Sequence, residues 1–139
     1  MPATALINID VDDLGRGIQF YTTAFGLKVG RRLGPTVIEL LGAGAPIYLI
    51  EKPPMSLAAP TTTDQRRYGR HWTPVHLDFV VPDIEEALRQ AMAAGAILEV
   101  PTVTNVWGKI AHLADPFGHG ICVIEFVGHG YDEIAANSN

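Results

Sequence analysis

Ile9-Asp10-Val11-Asp12-Asp13-Leu14 and Phe79-Val80-Val81-Pro82-Asp83-Ile84 decide the fold, because the second stretch repeats the first about half a chain later. Each opens on an alternating apolar run, passes through an aspartate suited to capping a helix, and enters a stripe of apolar residues at helical spacing. Phe25-Gly26-Leu27 closes the first helical pattern and Ala94-Gly95-Ala96 the second, glycine being the common residue just past a helix end. Asp13 and Asp83 lie 70 residues apart, and Gly26 and Gly95 lie 69 apart, in a chain of 139. The chain therefore reads as two copies of one unit, whose first strands are expected to come together around a pseudo-twofold axis.

Working outward, residues 4–11 alternate, with Ile7, Ile9 and Val11 on one face and Leu6, Asn8 and Asp10 on the other, the pattern of a strand with one buried face. Leu14, Ile18, Tyr21 and Phe25 then predict an amphipathic helix. Strands are predicted over 27–33, 35–41 and 46–51, the last two split by Gly42-Ala43-Gly44. The second unit repeats the order. His76, Asp78 and Val80 oppose Leu77, Phe79 and Val81, Ile84 to Met92 form the helix stripe, and strands are predicted over 96–100, 107–114 and 120–127. The units span 4–52 and 74–127 of a domain covering 1–139, with a tail from 128 to 139. The Pro-, Thr- and Arg-rich connection 53–73 is either a lid over a site or an ordinary crossover.

With 47% hydrophobic residues the chain has the makings of one substantial core. Ten basic residues against fifteen acidic give a net charge of −5 with no basic run, which argues against nucleic acid or an anionic membrane as partner. Cys122 is the sole cysteine, so no internal disulfide forms, and neither an apolar span nor a leader-like start is present; a cytoplasmic location is expected.

The same residues, together with Phe20-Tyr21, Asp115-Pro116-Phe117-Gly118-His119-Gly120 and Ile124-Glu125-Phe126, resemble the vicinal oxygen chelate superfamily, which holds glyoxalase I, bleomycin-resistance proteins, fosfomycin-resistance enzymes and extradiol dioxygenases. The resemblance covers 4–127 and implies an α+β fold in which two βαβββ modules form paired curved sheets around a cleft. It also implies a homodimer. In metal-dependent members the ion is held by a His, Glu or Gln from the first and last strand of each module. Carried over by motif position, those places fall at Leu6, Tyr48, His76 and Cys122. One imidazole and no carboxylate is a poor set for a catalytic divalent ion, so no metal is expected at the usual site. The alternative is a divalent metal on His76 with Glu39 or Glu51 and Cys122, in a lyase, isomerase or dioxygenase.

Asn8 pairs with Asp78 and Leu6 with His76 across the expected axis, all on the strand faces away from the helices. Polar groups there need partners or cost about 1–3 kcal/mol each, and a ligand is one way to supply them. The expected function is binding of a small organic molecule, a drug or a metabolite, in a cleft lined by Asn8, Tyr48, His76, Asp78, Trp107 and Cys122. His76, two residues from Asp78 on one strand, is the candidate catalytic base if a reaction occurs.

Overall fold

Both helices start where an aspartate caps them. In the computed structural model, which describes residues 1–136, Asp13 Oδ1 accepts from the Arg16 amide at 3.0 Å and Asp83 Oδ1 from the Glu86 amide at 3.2 Å. These caps open helices α1 (Leu14–Phe25) and α2 (Ile84–Ala93). Gly26 ends α1 at φ 65°, a left-handed conformation that a side chain would strain.

The first module adds strands β1 (Ile7–Val11), β2 (Lys28–Arg32), β3 (Val37–Leu41) and β4 (Ile47–Glu51), and the second adds β5 (Leu77–Val80), β6 (Ile97–Asn105), β7 (Gly108–Ala114) and β8 (Gly120–Phe126). Each module is a four-stranded sheet, ordered β1-β4-β3-β2 and β5-β8-β7-β6, in which the first strand lies parallel to the last. The registers match: Asn8 lies opposite Tyr48 as Asp78 lies opposite Cys122. Two βαβββ modules of an α+β fold are thus present as expected.

The core lies between sheets and helices. Val11, Leu40 and Leu49 from the first sheet, and Leu113 and Val123 from the second, are fully covered, as are Phe20 and Tyr21 of α1. The modules also hold each other. Phe25 of α1 stacks on Phe79 of β5 with ring centres 4.0 Å apart. Tyr21 donates to Asp115 Oδ2 at 2.6 Å, while Asp115 Oδ1 accepts from the Phe117 and His119 amides. Both oxygens of the buried Asp115 carboxylate are thereby hydrogen-bonded.

The ends of the last strands repeat each other. Glu51 accepts from the Leu14 amide and Glu125 from the Ile84 amide, both at 2.9 Å, so each carboxylate anchors the first turn of its own module's helix.

Three sequence expectations change. β6 runs to Asn105 instead of ending at Val100, because it is an edge strand whose register slips on either side of Val100, and an edge bulge tolerates Pro101. Trp107 consequently sits in the β6–β7 turn, not on an internal strand. The expected tail contains a short 3-10 turn at Gly130–Glu133; residues 137–139 lie outside the described residues.

The connection 53–73 is folded. The Met55 amide donates to the Arg66 carbonyl, the Arg66 amide to that of Ser56, and the Ala58 amide to that of Asp64, making a small hairpin. Arg66 pins it to the first module through Asp10 at 2.7 Å, and Tyr68 donates to the Lys52 carbonyl. Its end, His71, pairs with His119 at the start of β8.

Candidate functional site

Alternation on the strands sets which side chains leave the core. With Ile9, Val11, Phe79, Ile121 and Val123 turned to the helices, Asn8, Asp78 and Cys122 face the other way. Beside the β1 edge, beneath the connection, lies a cavity of about 710 Å³ lined by Leu6, Asn8, Asp10, His71, His76 and His119, with Lys52 and Arg66 at its wall. A smaller one, about 270 Å³, lies between Ile7, Phe25 and β5 and takes in Asp78.

Of the residues singled out from sequence, Asn8 and His76 line the larger cavity. His76 Nδ1 is 3.1 Å from Asp78 Oδ1, and one ligand atom each of His76, Asp78 and Cys122 lies within 4.8 Å of the others. Cys122 is buried, and that burial, reinforced by the Asp78 carboxylate beside it, pushes its thiol up to about 12, so it stands as a neutral thiol at physiological pH. Tyr48 belongs to a different group: its hydroxyl donates to Glu39 Oε2 at 2.9 Å and accepts from Arg31 at 3.2 Å. Trp107 packs with Phe126 and Tyr131, ring centres 6.3 and 5.1 Å away, at the end of β8 opposite Gly120.

Glu39 and Glu51, the alternative carboxylate ligands, are both engaged. Arg31 donates to Glu39 through its backbone amide and its guanidinium, and these bonds hold the Glu39 carboxyl at about 2. Glu51 points to the α1 N-terminus, not to the cavity. With Leu6 lacking a lone pair and Tyr48 tied to Glu39, the residues present do not fit a metal set shared between the two modules.

Three residues, Arg31, Glu99 and His112, were not legible as site residues. Arg31 and Glu99 act through contacts remote in sequence, with Glu99 bonding Arg70 and the Trp72 indole. Trp72 lies over Gly120, where a Cβ would overlap its ring, and stands edge-on to His76 and His112 at 5.5 and 5.6 Å. His112 is the cross-strand neighbour of Cys122. Its Nδ1 is buried and, among the described residues, has no hydrogen-bond partner. Counting outward from the Asp115-Pro116-Phe117-Gly118 turn would have paired it with Cys122.

His71 and His119 form a hydrogen-bonded pair at the cavity rim. His71 Nδ1 is 2.7 Å from the Gly69 carbonyl and His119 Nε2 is 2.7 Å from that of Asp10; the facing nitrogens are 3.0 Å apart. Carbonyls only accept, so each ring nitrogen that faces a carbonyl donates to it, and the two remaining nitrogens face each other at hydrogen-bond distance.

Two βαβββ modules with polar residues on their helix-free faces define a protein of the vicinal oxygen chelate superfamily. More narrowly, the chain belongs to the glyoxalase-like domain family, whose model matches residues 6–124. A variant of the fosfomycin resistance protein FosX from Listeria monocytogenes, complexed with Mn(II) and 1S,2S-dihydroxypropylphosphonic acid, has 18% identity and a TM-score of 0.69 over 97% of this chain and 99% of its own. A glyoxalase/bleomycin resistance protein/dioxygenase family enzyme from Burkholderia phytofirmans PsJN has 22% identity and a TM-score of 0.66, covering 88% and 97%. TioX from Micromonospora sp. ML1 has 16% identity and a TM-score of 0.65, covering 91% and 100%. These likenesses are of fold. No curated protein matches the chain.

Proposed function

We propose that the protein binds a small organic molecule, a drug or a metabolite, in the cleft beside β1. The observation that carries this is the 710 Å³ cavity, a size suited to such ligands, into which Asn8, Asp10, His71, His76 and His119 bring polar atoms over an apolar floor of Leu6, Ile7 and Ile121. Asp78 and Cys122 flank His76, and Tyr48 lies on the other module's open face. The helix-free faces also expose Leu6, Leu41 and Val80, at 63%, 43% and 58%, which supports a homodimer in which a second copy covers them. A cytoplasmic location completes this reading; separately, no described helix is long and apolar enough to cross a membrane.

The test is calorimetric titration and thermal shift of the chelator-treated protein against bleomycin, 1S,2S-dihydroxypropylphosphonate and a panel of small aromatic acids and amines. Saturable binding with a raised Tm is expected, weakened by Asn8→Ala. A panel without a single saturable binder would sink the reading, and a monomer at micromolar concentration in sedimentation would remove its homodimer.

A metal-dependent lyase, isomerase or dioxygenase is a second reading, favoured by the convergence of His76, Asp78 and Cys122. His76→Ala separates the two: an enzyme loses turnover outright, and a binder keeps most of its affinity.

A further inference from the structure

The modules share a backbone plan and differ in what they mount on it. At the places that carry Asp78, Cys122 and His112 in the second module, the first carries Asn8, Tyr48 and Glu39. Glu39 and Tyr48 are bonded to each other and to Arg31, so of the three places in the first module only Asn8 is left without a partner among the described residues. The second module does the reverse. Strand pairing sets Asp78 and Cys122 side by side, His76 two residues earlier leans onto Asp78, and the three ligand atoms lie within 4.8 Å of one another. On the far side of Cys122 stands His112, whose buried Nδ1 lacks a partner among the described residues. Trp72, edge-on to both imidazoles, roofs the group.

We propose that Cys122, His76 and Asp78, closed by His112, form a site for a borderline-soft divalent cation of the Zn(II) class, built entirely within the second module. Tetrahedral zinc, with Zn–S about 2.3 Å and Zn–N about 2.0–2.1 Å, sets its ligand atoms about 3.3–3.7 Å apart. His76 and Asp78 are about one-third exposed, at 37% and 38%, and therefore free to close the remaining distance around the ion. On binding, the Cys122 S–H bond breaks, the proton leaves to solvent and the thiolate takes the metal. Thiolate and carboxylate balance the double charge. A thiolate with imidazoles selects Zn(II) or Co(II) over Mn(II) or Mg(II), a preference a carboxylate-rich site would not impose. The site shares His76 with the cavity beside β1 and deepens the metal-dependent reading, but it needs no small molecule to form.

The test is titration of the tag-free, chelator-stripped, reduced chain with Co(II), followed optically. The expected result is one Co(II) per chain, a near-ultraviolet thiolate-to-cobalt charge-transfer band, and displacement by equimolar Zn(II) but not by a tenfold excess of Mn(II). Cys122→Ser should abolish the band, and His112→Ala should weaken binding at least about tenfold. Glu39→Gln should change neither, since that carboxylate belongs to the other module. Should Cys122→Ser fail to fold, His76→Ala, at an exposed position, carries the same test through lost affinity. Substoichiometric cobalt, a bound cobalt without the band, displacement by Mn(II), or binding untouched in Cys122→Ser and His76→Ala would each overturn the proposal. Ligand binding measured in chelator is scored separately and survives that failure.

Discussion

Replacing Tyr21 by Phe tests what joins the two modules. The substitution removes one oxygen and keeps the ring, which stays edge-on to Phe20 and tilted against Phe25 and Phe79. What is lost is the 2.6 Å bond to Asp115 Oδ2, in a place where Tyr21 is wholly buried and Asp115 only 3% exposed. Among the described residues no other hydrogen bond reaches Oδ2, because the Phe117 and His119 amides both bond Oδ1, so the variant leaves a buried carboxylate oxygen unsatisfied. A hydrogen bond to a charged group contributes about 1.5–3 kcal/mol, and an orphaned buried acceptor sets the cost toward the upper end, about 2–3 kcal/mol. For a chain of this length that corresponds to a fall in Tm of about 6–12 °C. Urea unfolding followed by circular dichroism would measure it, with the midpoint lowered and the m value unchanged if only stability has altered. A loss below about 0.5 kcal/mol would refute the reasoning, since it would mean that water already reaches Asp115 or that the turn is held without Tyr21.

Two other outcomes follow from local chemistry. Glu39 has its carboxyl held at about 2 by Arg31, below the ordinary 4.5, so it favours the folded state above pH 4.5 and that contribution disappears as pH falls from 4.5 through 2; Glu39→Gln should flatten the acid limb of stability against pH over that window, and an unchanged limb would show that the ion pair is not formed. Gly120→Ala places a methyl group where the Trp72 ring lies, and the indole must leave its place between His76 and His112; a red-shifted tryptophan emission with about 1–3 kcal/mol lost stability is expected, whereas an unaltered spectrum would remove Trp72 from that position.

The repeat was legible because it rests on local chemistry. Asp13 and Asp83 cap helices with their own next turn, Gly26 needs only its own φ, and the two first strands carry a period of two that nothing remote disturbs. The β6 end was not legible, since whether Pro101 breaks a strand depends on that strand's lying at a sheet edge, which only tertiary structure decides. The same limit applies to the side chains. Glu39 or Glu51 stood as the alternative metal ligand because nothing within either strand announces that Arg31 holds the one and the Leu14 amide, 37 residues away, the other. The connection looked unstructured because its order comes from Arg66 and Tyr68 reaching Asp10 and Lys52, bonds that leave no periodic trace.

The paired anchors Glu51 and Glu125 carry one more consequence. Each module fixes its helix to its sheet by the same bond at the same place, so the scaffold is standardised while the open faces are not. One face has become a closed ionic knot of Arg31, Glu39 and Tyr48, and the other an open set of donor atoms. The first module is in effect a second mount in the same register, with Asn8 opposite Tyr48 where the other has Asp78 opposite Cys122, so at these places the modules differ in side chains and not in strand pairing.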